Sequence, residues 1–144
     1  MPKNKPLVSV VIPAYNGAKY IKEAIESVLL QSYKKLEVLV CDDASTDNTG
    51  EIVQSIQDER LNYLRFEKNT GLSGNLNRGI KKARGEYVCW FNQDDIFLQD
   101  KVQFQVEEFQ KDPNVGAVFC QKQDIDVNGN ILNLINPSLI PFKN

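Results

Sequence analysis

The chain contains no histidine. That gap excludes Ser-His-Asp and Cys-His catalysis and removes the usual nitrogen donor of zinc sites. Cysteine is scarce as well: Cys41, Cys89 and Cys120 make an odd count with no Cys-x-x-Cys pair. All three fall in predicted strands, so they read as buried, reduced thiols of a cytosolic protein rather than a disulfide frame or a metal cage. No block of Lys or Arg occurs and the net charge is −2, so nothing points to nucleic acid or an anionic membrane surface as partner. No apolar run approaches the roughly 20 residues of a transmembrane helix, and residues 1–6 lack the apolar core of a signal peptide. A Walker loop and the Gly-x-Gly-x-x-Gly dinucleotide fingerprint are also missing. Chemistry in this chain must rest on carboxylates, amides and hydroxyls, with or without a metal ion.

What is present is a soluble globular composition, 42% apolar and 25% charged over 144 residues, which is one domain's worth of chain with enough for a core. Residues 1–6 read as a disordered leader and 7–144 as the domain. The β-branched run 7–12, closed by Pro13, predicts a strand. Ile21, Ala24, Ile25, Val28 and Leu29 then recur on one helical face, with Asn16 as candidate N-cap. A second strand is predicted over 36–41. Asn48 with Glu51 resembles a capping box opening a short helix through Ile56. A third strand covers 61–66, and Leu72, Leu76, Ile80 and Ala83 mark a helix ended by Gly85 as its cap. Gly79 inside that helix costs about 1 kcal/mol against alanine, which points to close packing on a neighbour.

Tyr87 to Phe91 is an unbroken apolar and aromatic run, expected to be a strand buried on both faces. Val102, Val106 and Phe109 give the next helix, stopped by Asp112-Pro113, and 115–120 a fifth strand. Asn128-Gly129 signals a tight C-terminal hairpin, beside which Asp124 and Asp126 read as turn-shaping acids. Strands alternating with helices imply an α/β domain with a mostly parallel sheet and right-handed crossovers.

In such sheets ligands bind outside the carboxyl ends of the strands. There the first, second and fourth strands run into Pro13-Ala14-Tyr15-Asn16, Asp42-Asp43 and Asn92-Gln93-Asp94-Asp95. The opposite ends, with Lys34-Lys35 and Arg84-Gly85-Glu86, carry only solvated charge. Paired acids at a sheet rim suit a hard cation such as Mg²⁺ or Mn²⁺, which one or two carboxylates and substrate phosphates can hold. Asp94 is the residue assigned to the metal. The competing reading makes Asp94 and Asp95 the opening of the next helix, where acids are favoured. Asp43 either accepts the ring N–H of a pyrimidine or ties down its own loop. Tyr15 either packs on a base or is a half-buried turn residue.

The blocks at 8–16, 37–47 and 69–71, with Asn77-Arg78-Gly79-Ile80, 83–87 and Asn92-Gln93-Asp94-Asp95, resemble family-2 glycosyltransferases in order and spacing over roughly residues 7–120. The resemblance implies a GT-A type, Rossmann-like fold, a nucleotide-diphosphate-sugar donor (a UDP-sugar favoured) and Mn²⁺ or Mg²⁺ as cofactor. It places Pro13, Ala14, Tyr15 and Asn16 along the nucleotide, Asp43 at its base, and Asn92, Gln93 and Asp94 on the family's Asp-x-Asp motif, with Asp94 on the metal. Asn92 departs from that motif by replacing its first acid, and Leu76 stands where many relatives carry a basic residue. The implied reaction is metal-assisted, inverting transfer of the sugar to the hydroxyl of a saccharide or lipid-linked acceptor, in polysaccharide biosynthesis. The implied location is the cytoplasm, as a soluble or peripheral protein of the inner membrane face. The catalytic base is unassigned and expected beyond Asn144, which makes the chain a donor-binding part shortened at its C-terminus. A non-catalytic nucleotide-sugar-binding or interaction domain on the same fold is the alternative.

Overall fold

The computed structural model describes residues 5–133. In chain order it consists of β1 (Val8–Ala14), α1 (Ile21–Leu29), β2 (Leu36–Asp42), α2 (Thr49–Ser55), β3 (Leu61–Arg65), α3 (Gly71–Lys82), β4 (Tyr87–Trp90), α4 (Lys101–Lys111), β5 (Asp124–Ile125) and β6 (Ile131–Asn133). The first four strands form one parallel sheet in the order β3-β2-β1-β4. The chain therefore winds outward from β1 in both directions. The gap between the β1–β2 and β1–β4 connections is the kind of switch point where α/β sheets take ligands.

Alternation along β1 and β2 sorts their side chains to two faces. Val8, Val10, Ile12, Leu36, Val38 and Val40 pack with Ile21, Ala24, Ile25 and Val28 of α1, Val53 of α2, and Val102 and Val106 of α4. Val11, Leu39 and Cys41 face the other way, under Leu76 of α3. Helix α3 lies so close to the sheet that a Cβ on Gly79 would stand 2.4 Å from Val11 Cγ1 and 2.7 Å from Cys41 Sγ. The expected close packing at Gly79 is found.

Several local expectations need correction. The helix α1 starts at Ile21 with Tyr20 at its cap, and Asn16 instead turns through φ +48° and serves the loops described below. Asn48 occupies the cap position of α2 but makes no side-chain cap bond, and the Thr49 N–H donates to Asp47 Oδ1 at 3.0 Å. Gly85 does not end α3, whose cap is Ala83; the glycine is there for the sheet, since a Cβ would stand 2.6 Å from the Ser9 nitrogen. Pro6, read above as leader, is buried and its carbonyl accepts the Tyr33 hydroxyl. The hairpin is present: β5 and β6 pair antiparallel, with Asp126 Oδ1 accepting the N–H groups of Asn128 and Asn130 and Gly129 at φ +81°.

Strand β4 is not buried on both faces. Tyr87 stacks on Phe109 with centroids 4.4 Å apart, whereas Val88 and Trp90 remain 45% and 53% exposed. Helix α3 packs over β1 and β2 and leaves this face of β4 uncovered. Residues 115–120 form no strand: among the described residues no ladder partner joins the outer edge of β4, and β propensity without a partner makes no sheet. Phe119 and Cys120 of that run are exposed, so only Cys41 of the three thiols is fully buried. Burial raises the Cys41 pKa to about 11, keeping it a neutral core residue.

Candidate functional site

The loops after β1, β2 and β4 meet at the carboxyl rim, as the placement of polar residues predicted. Continuing the β1–β2 ladder, the Asp43 N–H donates to the Ala14 carbonyl at 2.8 Å. The loop 15–18 is then fastened to the segment after β2 by further bonds. The Asn16 N–H donates to Ser45 Oγ at 3.0 Å, the Gly17 N–H to Thr49 Oγ1 at 2.8 Å and the Ala18 N–H to Asp47 Oδ2 at 3.1 Å. In return, Asn16 Oδ1 accepts the Thr46 N–H at 2.8 Å. From the other side, the Gln93 amide reaches both the N–H and the carbonyl of Tyr15. Two non-glycine residues at this junction, Asn16 and Ala44, hold φ of +48° and +64°. Backbone of that kind costs of order 1 kcal/mol or more and persists where surrounding bonds enforce it.

The two acids after β2 have different surroundings. Asp42 is fully buried: Oδ1 accepts the Ser45 N–H at 2.7 Å, and Oδ2 accepts the Tyr63 hydroxyl and Arg65 Nη1, the latter at 2.9 Å. Burial first, and then its bond to Asp42, push the Tyr63 hydroxyl above its ordinary pKa, so it stays a donor. Asp42 is thus the strut of the loop. Asp43 is 2% exposed; its Oδ2 accepts the Thr70 N–H at 2.8 Å, and Oδ1 accepts Arg78 Nη1 at 3.0 Å and Thr70 Oγ1 at 3.3 Å. It does tie a loop, but the one before α3 rather than its own. Burial tends to raise the Asp47 pKa, but the Thr49 hydroxyl, the Thr49 N–H and the Ala18 N–H hold it below the usual carboxylate range.

At the end of β4, Asn92 donates from Nδ2 to Asp95 Oδ2 at 2.7 Å. Asp94 is exposed and makes no hydrogen bond or ion pair with any described residue. Tyr15 is 47% exposed, while Pro13 and Ala14 are buried as the last residues of β1. Among the described residues, no group of three or more His, Cys, Asp or Glu side chains is arranged to hold a metal. The donor set nevertheless fits Mg²⁺ or Mn²⁺ arriving with a diphosphate, since such ions need only one or two carboxylates when phosphates complete the shell. Two cavities elsewhere, one beside Tyr87 and Phe109 and one between Leu30 and Phe97, are not lined by Tyr15, Asp43 or Asp94.

Sequence reasoning missed the supporting residues Ser45, Asp47, Thr49, Thr70 and Arg78. The Asp-x-Thr run at Asp47 and Thr49 was the readable signal, since Asp and Thr side chains readily bond backbone two residues away. Arg78 could not have been placed by periodicity: the apolar stripe Leu72, Leu76, Ile80 and Ala83 points away from it, whereas the residues of α3 that are buried are Asn75 and Gly79.

The parallel sheet, its flanking helices and the antiparallel hairpin describe an α/β domain of the GT-A kind. The model of glycosyl transferase family 2 matches residues 9–143, and the chain belongs to that family. It is 38% identical over 133 residues to the chondroitin synthase of Escherichia coli, covering 91% of this chain and 19% of that protein. Among solved structures, the mannosyltransferase PcManGT of Pyrobaculum calidifontis in complex with GDP-Man and Mn²⁺ superimposes with a TM-score of 0.77 at 34% identity. The match covers 85% of this chain and 37% of that one. The S. aureus TarS structure in complex with UDP-GlcNAc gives 0.68 at 31% identity, over 72% of this chain and 31% of that one. The chain spans between 19% and 42% of the length of the first curated relatives it matches. No helix among the described residues is long and apolar enough to cross a membrane.

Proposed function

We propose that this chain binds a nucleoside-diphosphate sugar at the β1, β2 and β4 rim. In this reading it serves metal-assisted, inverting transfer of the sugar to a saccharide or lipid-linked acceptor in cell-surface polysaccharide synthesis. The observation that carries the reading is the convergence of three loops distant in sequence, through the bonds of Ala14, Tyr15, Asn16 and Gly17, beside the Asp94 carboxylate, which has no partner among the described residues. Tyr15 and Asn16 line the nucleotide at the end of the buried Pro13-Ala14 segment, Asp43 meets the base, and Asn92 and Asp94 face the diphosphate side, with Gln93 between them. Asp94 is the metal ligand. A bound Mn²⁺ or Mg²⁺ supplies charge stabilisation on the diphosphate as the sugar–oxygen bond breaks. Asp94 anchors that charge, and the Asn92 amide leaves one fewer negative charge there than two acids would.

The base preference follows from the Asp43 carboxylate. Oδ1 is occupied by Arg78 and Thr70, whereas Oδ2 has one partner and keeps a lone-pair direction. One free acceptor suits the single ring N–H of uracil; the paired N–H donors of guanine call for both oxygens. A UDP-sugar is therefore the proposed donor. Support for a nucleotide sugar as such comes from the solved relatives bound to UDP-GlcNAc and to GDP-Man with Mn²⁺. A second reading, a binding domain without turnover, draws on Asn92, and release of UDP from a UDP-sugar would exclude it.

The test is a melting-temperature series with millimolar UDP or GDP, in Mn²⁺ and in chelator. UDP with Mn²⁺ should raise the melting temperature by several degrees, as mass action requires at about 100 times Kd. Asp94→Ala should abolish the metal-dependent part while leaving the unliganded protein unchanged. No shift with either nucleotide would end the proposal.

A further inference from the structure

The backbone ladder between β1 and β4 stops early. Its last pair is Val11 with Trp90, followed by the Phe91 N–H to the Val11 carbonyl at 3.0 Å. Strand β1 continues for three more residues without a β4 partner. Where that ladder would have resumed, the Gln93 side chain stands in for it. Its Oε1 accepts the Tyr15 N–H at 3.0 Å, and its Nε2 donates to the Tyr15 carbonyl at 3.1 Å. The two backbone groups also fix the amide orientation, since the flipped amide would satisfy neither. Gly17 leaves the room: a Cβ there would lie 2.2 Å from Gln93 Oε1. On the β2 side the 15–18 loop has bonds to Ser45, Thr49 and Asp47. On the β4 side, among the described residues, its hydrogen bonds come from Gln93.

We infer that Gln93 is a positioning residue, which sets nucleotide affinity by holding Tyr15 and Asn16 in place and not by touching the diphosphate or its metal. This rests on the donor-site reading above and sharpens the part Gln93 has in it. Both polar ends of the side chain point at backbone, away from any ligand role, while the neighbouring Asp94 keeps its carboxylate free.

Two titrations separate a positioning role from a metal-side contact: UDP into protein saturated with Mn²⁺, and Mn²⁺ into protein saturated with UDP. Gln93→Met keeps the length and removes both bonds. It should weaken UDP binding about tenfold, the scale of two modest hydrogen bonds, and leave the Mn²⁺ affinity within twofold. Gly17→Ala, whose methyl group evicts the amide without altering residue 93, should give the same split and carries the test if Gln93→Met does not fold. Unchanged UDP affinity in either folded variant overturns the inference. So does a Mn²⁺ affinity that falls in step with that for UDP. If the unsubstituted chain binds neither UDP nor GDP with Mn²⁺, the donor-site reading has failed and the inference falls with it.

Discussion

Strands β1 and β4 are hydrogen-bonded neighbours in one sheet, yet all seven residues of β1 are buried while β4 alternates between half-buried and exposed. Both strands are apolar in sequence. The difference lies in cover: among the described residues β1 has a strand on each side and helices on both faces, whereas β4 has one strand and one covered face. The two regions accordingly contribute different things to the rim. The β1–β2 half supplies a loop locked by side chains of Ser45, Asp47 and Thr49. The β4 half supplies Asp94 on an exposed segment attached to that loop through Gln93. Rigidity is concentrated on one side of the site and the unpaired charge on the other.

Equivalent cuts in the two strands should therefore cost different amounts. Ile12→Ala, at a position with no exposure in the larger apolar cluster, should lose about 2–5 kcal/mol in urea unfolding. Trp90→Ala removes a larger side chain, but from a face that is already 53% exposed, and should lose about 1 kcal/mol or less. Equal losses would mean that β4 is covered in solution, and the contrast between the strands would be void.

The interior half also holds a buried charge, at the end of the sheet away from the rim. Glu37 is 3% exposed; Oε1 accepts the Ser9 hydroxyl at 2.6 Å and the Arg84 N–H at 2.8 Å, and Oε2 accepts the Arg84 guanidinium. Burial alone would raise its pKa, but the Ser9 hydroxyl and then the Arg84 bonds outweigh it and hold the carboxyl below the usual carboxylate range. A depressed folded pKa gives stability that is complete above the unfolded value, about 4.3, and is lost as pH falls through the folded one. Glu37→Gln should cost about 2 kcal/mol near neutrality, discounted for the exposed Arg84. The deficit should shrink as pH falls below the unfolded value of about 4.3, where the unsubstituted protein begins to lose the same contribution. A deficit independent of pH would show that the carboxylate charge plays no part.

The interior half was also the more legible one. Continuous β-branched runs at β1 and β2 and the 3.6-residue recurrence in α1 describe burial directly, and Gly79 announced the approach of α3. The edge was misread because an apolar run such as 87–91 or 115–120 looks the same whether or not a neighbour covers it. Burial belongs to the partner, and a partner is not encoded locally. The rim residues were found from their position after strands. What each one bonds to was not found: Asp43 pairs with Arg78, 35 positions away, and Tyr15 with Gln93, 78 away. Contacts of that range depend on the sheet order β3-β2-β1-β4, which strand prediction alone does not fix.

Asn92 offers the finest probe of the edge half. Its amide donates to Asp95 Oδ2 at 2.7 Å, so Asn92→Asp would exchange a bond for two adjacent carboxylates. On an exposed, salt-screened loop that repulsion should lower unliganded stability by less than about 1 kcal/mol. With UDP present the same charge faces a divalent ion. A unit charge at 4 Å is worth about 1 kcal/mol in water, and a doubly charged ion doubles it. Allowing for the lost Asn92–Asp95 bond, Mn²⁺ should bind about tenfold more tightly in the UDP complex, with UDP affinity in chelator unchanged. If Mn²⁺ binding is indifferent to the substitution, the ion does not sit at the end of β4. The unpaired Asp94 would then need another explanation, and the division of the rim into a rigid half and a charged half would lose its functional meaning.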